Sequence, residues 1–146
     1  MPKYSLSVEV DRPIEDAWEV VMDESKMGEW LEGYKGMELL EGEPLTVGSK
    51  HKMIFEEDGQ ELTFTETVTA INPPTEFSFD FDHDMMSSNI QMILESTGPA
   101  SSRITNRTNF KADGFFVNLI MFFMTPRMKG RQRRSFERLK ALIEAS

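Results

Sequence analysis

Between residues 36 and 111 the chain alternates apolar and polar residues in one segment after another, and a single helical segment elsewhere is long enough to cover the apolar face this creates. Alternation with period two marks a strand with one buried face. It predicts strands over 37–41, 48–57, 60–71, 76–85, 88–96 and 103–111. Tyr4, Leu6, Val8 and Val10 alternate with polar residues and add a first strand. Residues 115–145 predict one long helix that starts after Gly114. A sheet with one apolar face must bury it against another element. The expected fold class is therefore α+β: a curved, seven-stranded antiparallel sheet wrapped around a long C-terminal helix, with two short helices after the first strand.

The short helices have local signals. Pro13 belongs at the start of a helix, where its missing N–H costs nothing, and Ile14, Ala17, Trp18 and Val21 follow at helical spacing. A second helix is predicted over 25–31, with Ser25 as N-cap and Gly33 and Gly36 ending it. Pro126 should kink or break the long helix, because it removes one internal hydrogen bond.

The length, 146 residues, fits one domain spanning 1–146. The chain has no Cys, which excludes disulfides and thiolate metal sites. A net charge of −9 argues against a nucleic-acid partner, which requires a basic footprint. No apolar run is long enough to span a bilayer, and residues 1–11 show no signal-peptide core. A soluble cytoplasmic protein is expected. The charge is unevenly placed: residues 127–146 hold 7 basic and 2 acidic residues, and the rest hold 9 and 23. The simplest reading is a positive helix lying on an acidic body, and the alternative is contact with an acidic partner or an anionic membrane.

Two stretches carry a family resemblance. One is Arg12-Pro13-Ile14-Glu15-Asp16-Ala17-Trp18-Glu19-Val20-Val21 followed by Met27-Gly28-Glu29-Trp30-Leu31. The other is the closing Leu139-Lys140-Ala141-Leu142, with Val47-Gly48 and Ile71-Asn72-Pro73-Pro74 between them. In these the chain resembles the START-like (SRPBCC) helix-grip superfamily, which includes birch-pollen-allergen-like proteins and polyketide cyclase/dehydrase relatives. The resemblance implies binding or transport of an apolar small molecule such as a lipid, quinone or polyketide-like aromatic, without a cofactor. It also implies two alternatives: a cyclase or dehydratase, and a protein-interaction module of the chaperone-regulator kind. Fold alone does not choose among them.

Asp58-Gly59 is the strongest short-range hairpin signal in the chain. If these two residues form the loop, Glu57 pairs with Gln60, Phe55 with Leu62, Met53 with Phe64 and His51 with Glu66. Continuing the inward parity predicts a cavity wall of Met53, Phe55, Phe64, Phe79, Phe81, Met92 and Phe110, closed by Leu119 and Phe123 from the helix. Glu66, His51, His83 and Asn106 are the polar exceptions and the predicted anchors. Glu66, with His51 or His83 beside it, could anchor a ligand, act as an acid–base pair, or form a structural pair at the sheet rim. The same three residues make a two-His-one-carboxylate set, but the resemblance lends a metal no support. Asp80, Asp82 and Asp84 begin like a calcium loop, but Met85 and Gln91 stand where that loop needs Gly and Glu. The apolar stretch at 115–124 needs cover on its second side. The short helices, a second subunit or a membrane surface could supply it, so residues 115–134 are the candidate surface for a homodimer or peripheral membrane contact.

Overall fold

Asp58 and Gly59 both adopt positive φ, 51° and 77°, as a two-residue hairpin turn requires. They join Lys50–Glu57 to Gln60–Asn72 in the expected register: Phe55 opposite Leu62, Met53 opposite Phe64, His51 opposite Glu66. A bulge follows between Val68 and Ala70. It lies beyond Glu66, so the inward parity set at the turn reaches Glu66 unbroken.

The computed structural model describes residues 3–83, 86–110 and 115–146, and their side chains except those of Tyr4, Met86 and residues 115–125. In chain order the elements are β1 (Lys3–Val10), α1 (Ile14–Met22), a 3-10 turn (Glu24–Lys26), α2 (Met27–Trp30), β2 (Tyr34–Glu41), β3 (Lys50–Glu57), β4 (Gln60–Asn72), β5 (Glu76–His83), β6 (Met86–Gly98), β7 (Ser101–Phe110) and α3 (Phe115–Glu144). The seven strands form one antiparallel sheet in the order β1-β7-β6-β5-β4-β3-β2. This is the α+β helix-grip fold that the alternation predicts.

Local details differ from the sequence reading. The second helix is split, and its start is capped by Asp23, whose carboxylate accepts from the Ser25 amide at 3.0 Å. Ser25 is a donor to this cap rather than the cap itself. β2 begins at Tyr34, three residues early, because pairing with Phe55 on β3 extends it past the alternating segment. β5 ends at His83, and Asp84 and Met85 lie outside the described residues, as does Lys111 after β7. Pro126 does not break α3, which is continuous across it. Packing of the following turns holds the helix where one hydrogen bond is lost.

That packing forms the core. Phe136, Leu139 and Ile143 of α3 meet Ala17 and Val20 of α1 and Leu94 and Ile104 of the sheet. Leu139, Ile143, Ala17 and Ile104 are all 0% exposed. The core therefore sits under the C-terminal half of α3. The basic residues of that half lie on the acidic body: Arg134 and Arg138 pair with Glu32, and Lys140 Nζ donates to the Glu9 carbonyl at 2.8 Å. The side chains of the apolar stretch at 115–124 lie outside those described. No described helix is long and apolar enough to cross a membrane. Leu139→Ala should cost about 2–5 kcal/mol in urea unfolding, the range for truncating a fully buried Leu; a loss under ~1 kcal/mol would place the core elsewhere.

Candidate functional site

From Phe136 and Met92 of that core to the β3–β4 hairpin, a cavity of about 510 Å³ lies between the concave face and α3. Of the residues expected to line it, Met53, Phe55, Phe64, Phe79, Phe81, Met92, Phe110, Glu66, His83 and Asn106 do so. The side chains of Leu119 and Phe123 are not among those described. His51 is not in this wall: it faces a side chamber of about 70 Å³ on the other flank of Glu66.

The wall is mostly aromatic. Phe64 stacks on Phe81 with ring centroids 4.4 Å apart, and Phe55 meets both edge-on at 5.8 and 6.1 Å. Phe79 adds a further edge contact to Phe81. These arrangements suit the aromatic quadrupole and make a rigid apolar surface.

Several wall residues were not singled out from the sequence. Trp30 and Leu31 reach the cavity from the end of α2, and Arg127, Arg131, Gln132 and Ser135 reach it from α3. A signal for the last two existed: Met128, Gln132, Ser135 and Phe136 follow the spacing of one helix face. The signal was weak because polar residues at such positions usually face water.

The polar groups divide into two regions. At the inner wall, Asn106 Nδ2 donates to Thr108 Oγ1 and to Gln132 Oε1, each at 2.9 Å. Trp30 Nε1 is buried with no hydrogen-bond partner. At the mouth, cations of α3 are matched by carboxylates. Arg127 Nη2 lies 3.0 Å from Asp58 Oδ2, Arg131 Nη1 lies 3.0 Å from Glu57 Oε2, and Arg131 Nη2 donates to the Glu32 carbonyl at 2.9 Å. Gly33 permits this closure. Its φ is +81°, and a Cβ there would stand 2.6 Å from the Glu56 carbonyl oxygen.

Glu66 is 4% exposed. Burial, and then the charge of Glu24, push its pKa up to about 7. Burial also pushes the His51 imidazole below its ordinary value, with Glu24 acting the other way. His51 Nδ1 stands 3.5 Å from Glu66 Oε1 and has no hydrogen-bond partner. That separation is within ion-pair range, yet desolvation disfavours both charges and pushes each group toward its neutral form. His83 stands one diagonal step from Glu66 in the expected register. Phe81 is the residue opposite Glu66 on β5, and the His83 ring lies 5.3 Å from that of Phe64. The two-His-one-carboxylate set is not assembled: among the described residues no group of three His, Cys, Asp or Glu could hold a metal.

A helix gripped by a seven-stranded sheet, with an apolar cavity between them, defines a START-like helix-grip protein. The chain belongs to the family described as polyketide cyclase / dehydrase and lipid transport, whose model matches residues 1–144. No curated protein sequence matches it. Many solved structures share its fold, and three illustrate the likeness. A protein from Chromobacterium violaceum is 18% identical with a TM-score of 0.77, covering 99% of each chain. The Zhui aromatase/cyclase from Streptomyces is 12% identical with a TM-score of 0.76, covering 98% of this chain and 93% of that one. A START superfamily protein from Mycobacterium smegmatis is 18% identical with a TM-score of 0.68, covering 98% and 94%.

The raised Glu66 pKa has a stability consequence. The folded state holds this proton more tightly than the unfolded chain does. Stability is therefore fully present below about pH 4.5, falls as pH rises toward 7, and stays lower above it. Glu66→Gln removes the charge. It should be more stable than the parent at pH 8 by up to roughly 3 kcal/mol and nearly equal to it at pH 4. Urea unfolding at both pH values measures this, and an equal difference at both would mean Glu66 does not titrate as argued.

Proposed function

We propose that this chain binds an apolar small molecule, such as a lipid, quinone or polyketide-like aromatic, in the cavity between the sheet and α3. The observation that carries the reading is the cavity itself: about 510 Å³, walled by aromatic and Met side chains with a few placed polar groups. That volume lies within the range of small-molecule sites. Family membership supports a ligand-binding or cyclase role without choosing between them. An interaction module of the chaperone-regulator kind would have no need of this open volume.

One observation favours a second reading. A carboxyl that titrates near neutrality in an apolar cavity can serve as a general acid or base. In that reading the protein is a cyclase or dehydratase and Glu66 moves the proton. Glu66→Gln would then lower turnover about 10²–10⁴-fold while leaving ligand bound.

Native mass spectrometry of protein purified from its own host, followed by solvent extraction, should reveal a co-purifying apolar molecule. Ile90 lines the cavity and is partly exposed to it. Ile90→Trp should fill the space and weaken binding of a naphthalene probe by about tenfold or more, with little change in Tm. Unchanged affinity in that variant would put the ligand somewhere else.

A further inference from the structure

We propose that the cavity selects ligands by charge, accepting an uncharged molecule that carries a carbonyl or similar acceptor and rejecting the corresponding carboxylate. This rests on the ligand-binding reading above and deepens it.

The available donors are neutral. Trp30 lines the cavity, and its buried Nε1 has no partner, so a small turn of the indole would offer that N–H to a ligand oxygen. Gln132 spends its carbonyl on Asn106, which leaves its NH₂ for a ligand. Buried Thr108 accepts from Asn106 and keeps its own hydroxyl proton to give. Glu66 in its acid form is a further donor. An unmet buried donor is costly, and a carbonyl oxygen relieves that cost without bringing a charge into the apolar wall.

The surroundings are hostile to an anion. The two arginines that line the cavity are at the mouth, and Glu57, Asp58 and Glu32 already engage them. The groups facing Glu66 can be taken element by element. β3 contributes His51, the 3-10 turn Glu24, and β2 Tyr34, whose phenol feels both Glu24 and Glu66. The loop before β3 contributes the apolar Pro44 and Leu45, and α1 and α2 contribute Val21, Met22 and Met27. β5 places Phe81 opposite, with His83 farther along the wall against Phe64. After burial, the influence on Glu66 is the negative charge of Glu24. Ionising it puts a second negative charge near Glu24 and removes a donor from the ligand.

The side chamber gives Glu66 a proton path that bypasses the ligand. Glu66 and His51 both border it, and so does Glu24, which is exposed to solvent. Its 70 Å³ is more than one water needs. Glu66 can therefore exchange its proton while the main cavity is filled, and affinity for the neutral ligand follows pH.

The test uses two probes of nearly equal shape, 2-acetylnaphthalene and 2-naphthoate, the second ionised throughout pH 6–8.5. Titration calorimetry with the full chain should show the ketone binding about tenfold or more tightly than the carboxylate at pH 7.5. Ketone affinity should fall about fivefold or more from pH 6 to pH 8.5 as the Glu66 donor is lost. In Glu66→Gln, which keeps an uncharged donor at every pH, that slope should disappear. Equal or tighter binding of the carboxylate would overturn the proposal while leaving the cavity a binding site. Loss of that carboxylate binding in His83→Gln would then assign the anion to His83. A pH slope that persists in Glu66→Gln would also overturn it. Binding of neither probe, with a folded protein verified by circular dichroism, would overturn both this proposal and the ligand-binding reading.

Discussion

A seven-stranded sheet with an apolar concave face has to be closed, and the C-terminal half of α3 closes one end of it. Phe136, Leu139 and Ile143 of α3 seal the sheet against α1 and the β6–β7 strands. Toward the β3–β4 hairpin the helix carries Met128, Gln132 and paired arginines to the cavity wall. Dense packing at one end supplies the burial that a domain of this size needs. Among the described residues, space remains between the sheet and α3 beside that packing. Core and cavity are two consequences of one helix crossing one curved sheet.

Burial beside the cavity sets the electrostatics. Desolvation is the largest influence on both Glu66 and His51, and it pushes them in opposite directions toward the same neutral state. The nearby Glu24 acts with burial on the carboxyl and against it on the imidazole. A carboxyl in this setting is a hydrogen-bond donor near neutral pH, with chemistry that an exposed Glu does not have. The arginines do not reverse this, because the carboxylates of the hairpin tip and of Glu32 hold them at the rim.

The same pairing explains the uneven charge along the chain. Seven basic residues in the last twenty would repel one another in isolation. Laid across the body, Arg131, Arg134 and Arg138 all approach Glu32, which sits between α2 and β2. Individual exposed pairs contribute little. Their arrangement ties α2 and the hairpin tip to α3 and frames the mouth of the cavity.

Much of this was legible in the residues. Period-two alternation determined the strands, and Asp58-Gly59 determined the β3–β4 register, because a two-residue turn allows one pairing and hence one inward set. Glu66, Asn106 and the Phe wall follow from that parity, and the START-like resemblance agrees with the family to which the chain belongs. Other features required the assembled structure. Asp23 rather than Ser25 caps the second helical segment, and α3 passes through Pro126 because packing farther along outweighs one missing hydrogen bond. His51 and Glu66 are neighbours by register and share the side chamber, yet of the two only Glu66 also borders the main cavity. Trp30 and Gln132 reach the wall from elements whose distance from it no local pattern encodes. The ionisation of Glu66 also belongs to the tertiary level. A pKa depends on the solvent removed by every surrounding element, and those elements are brought together only by the fold.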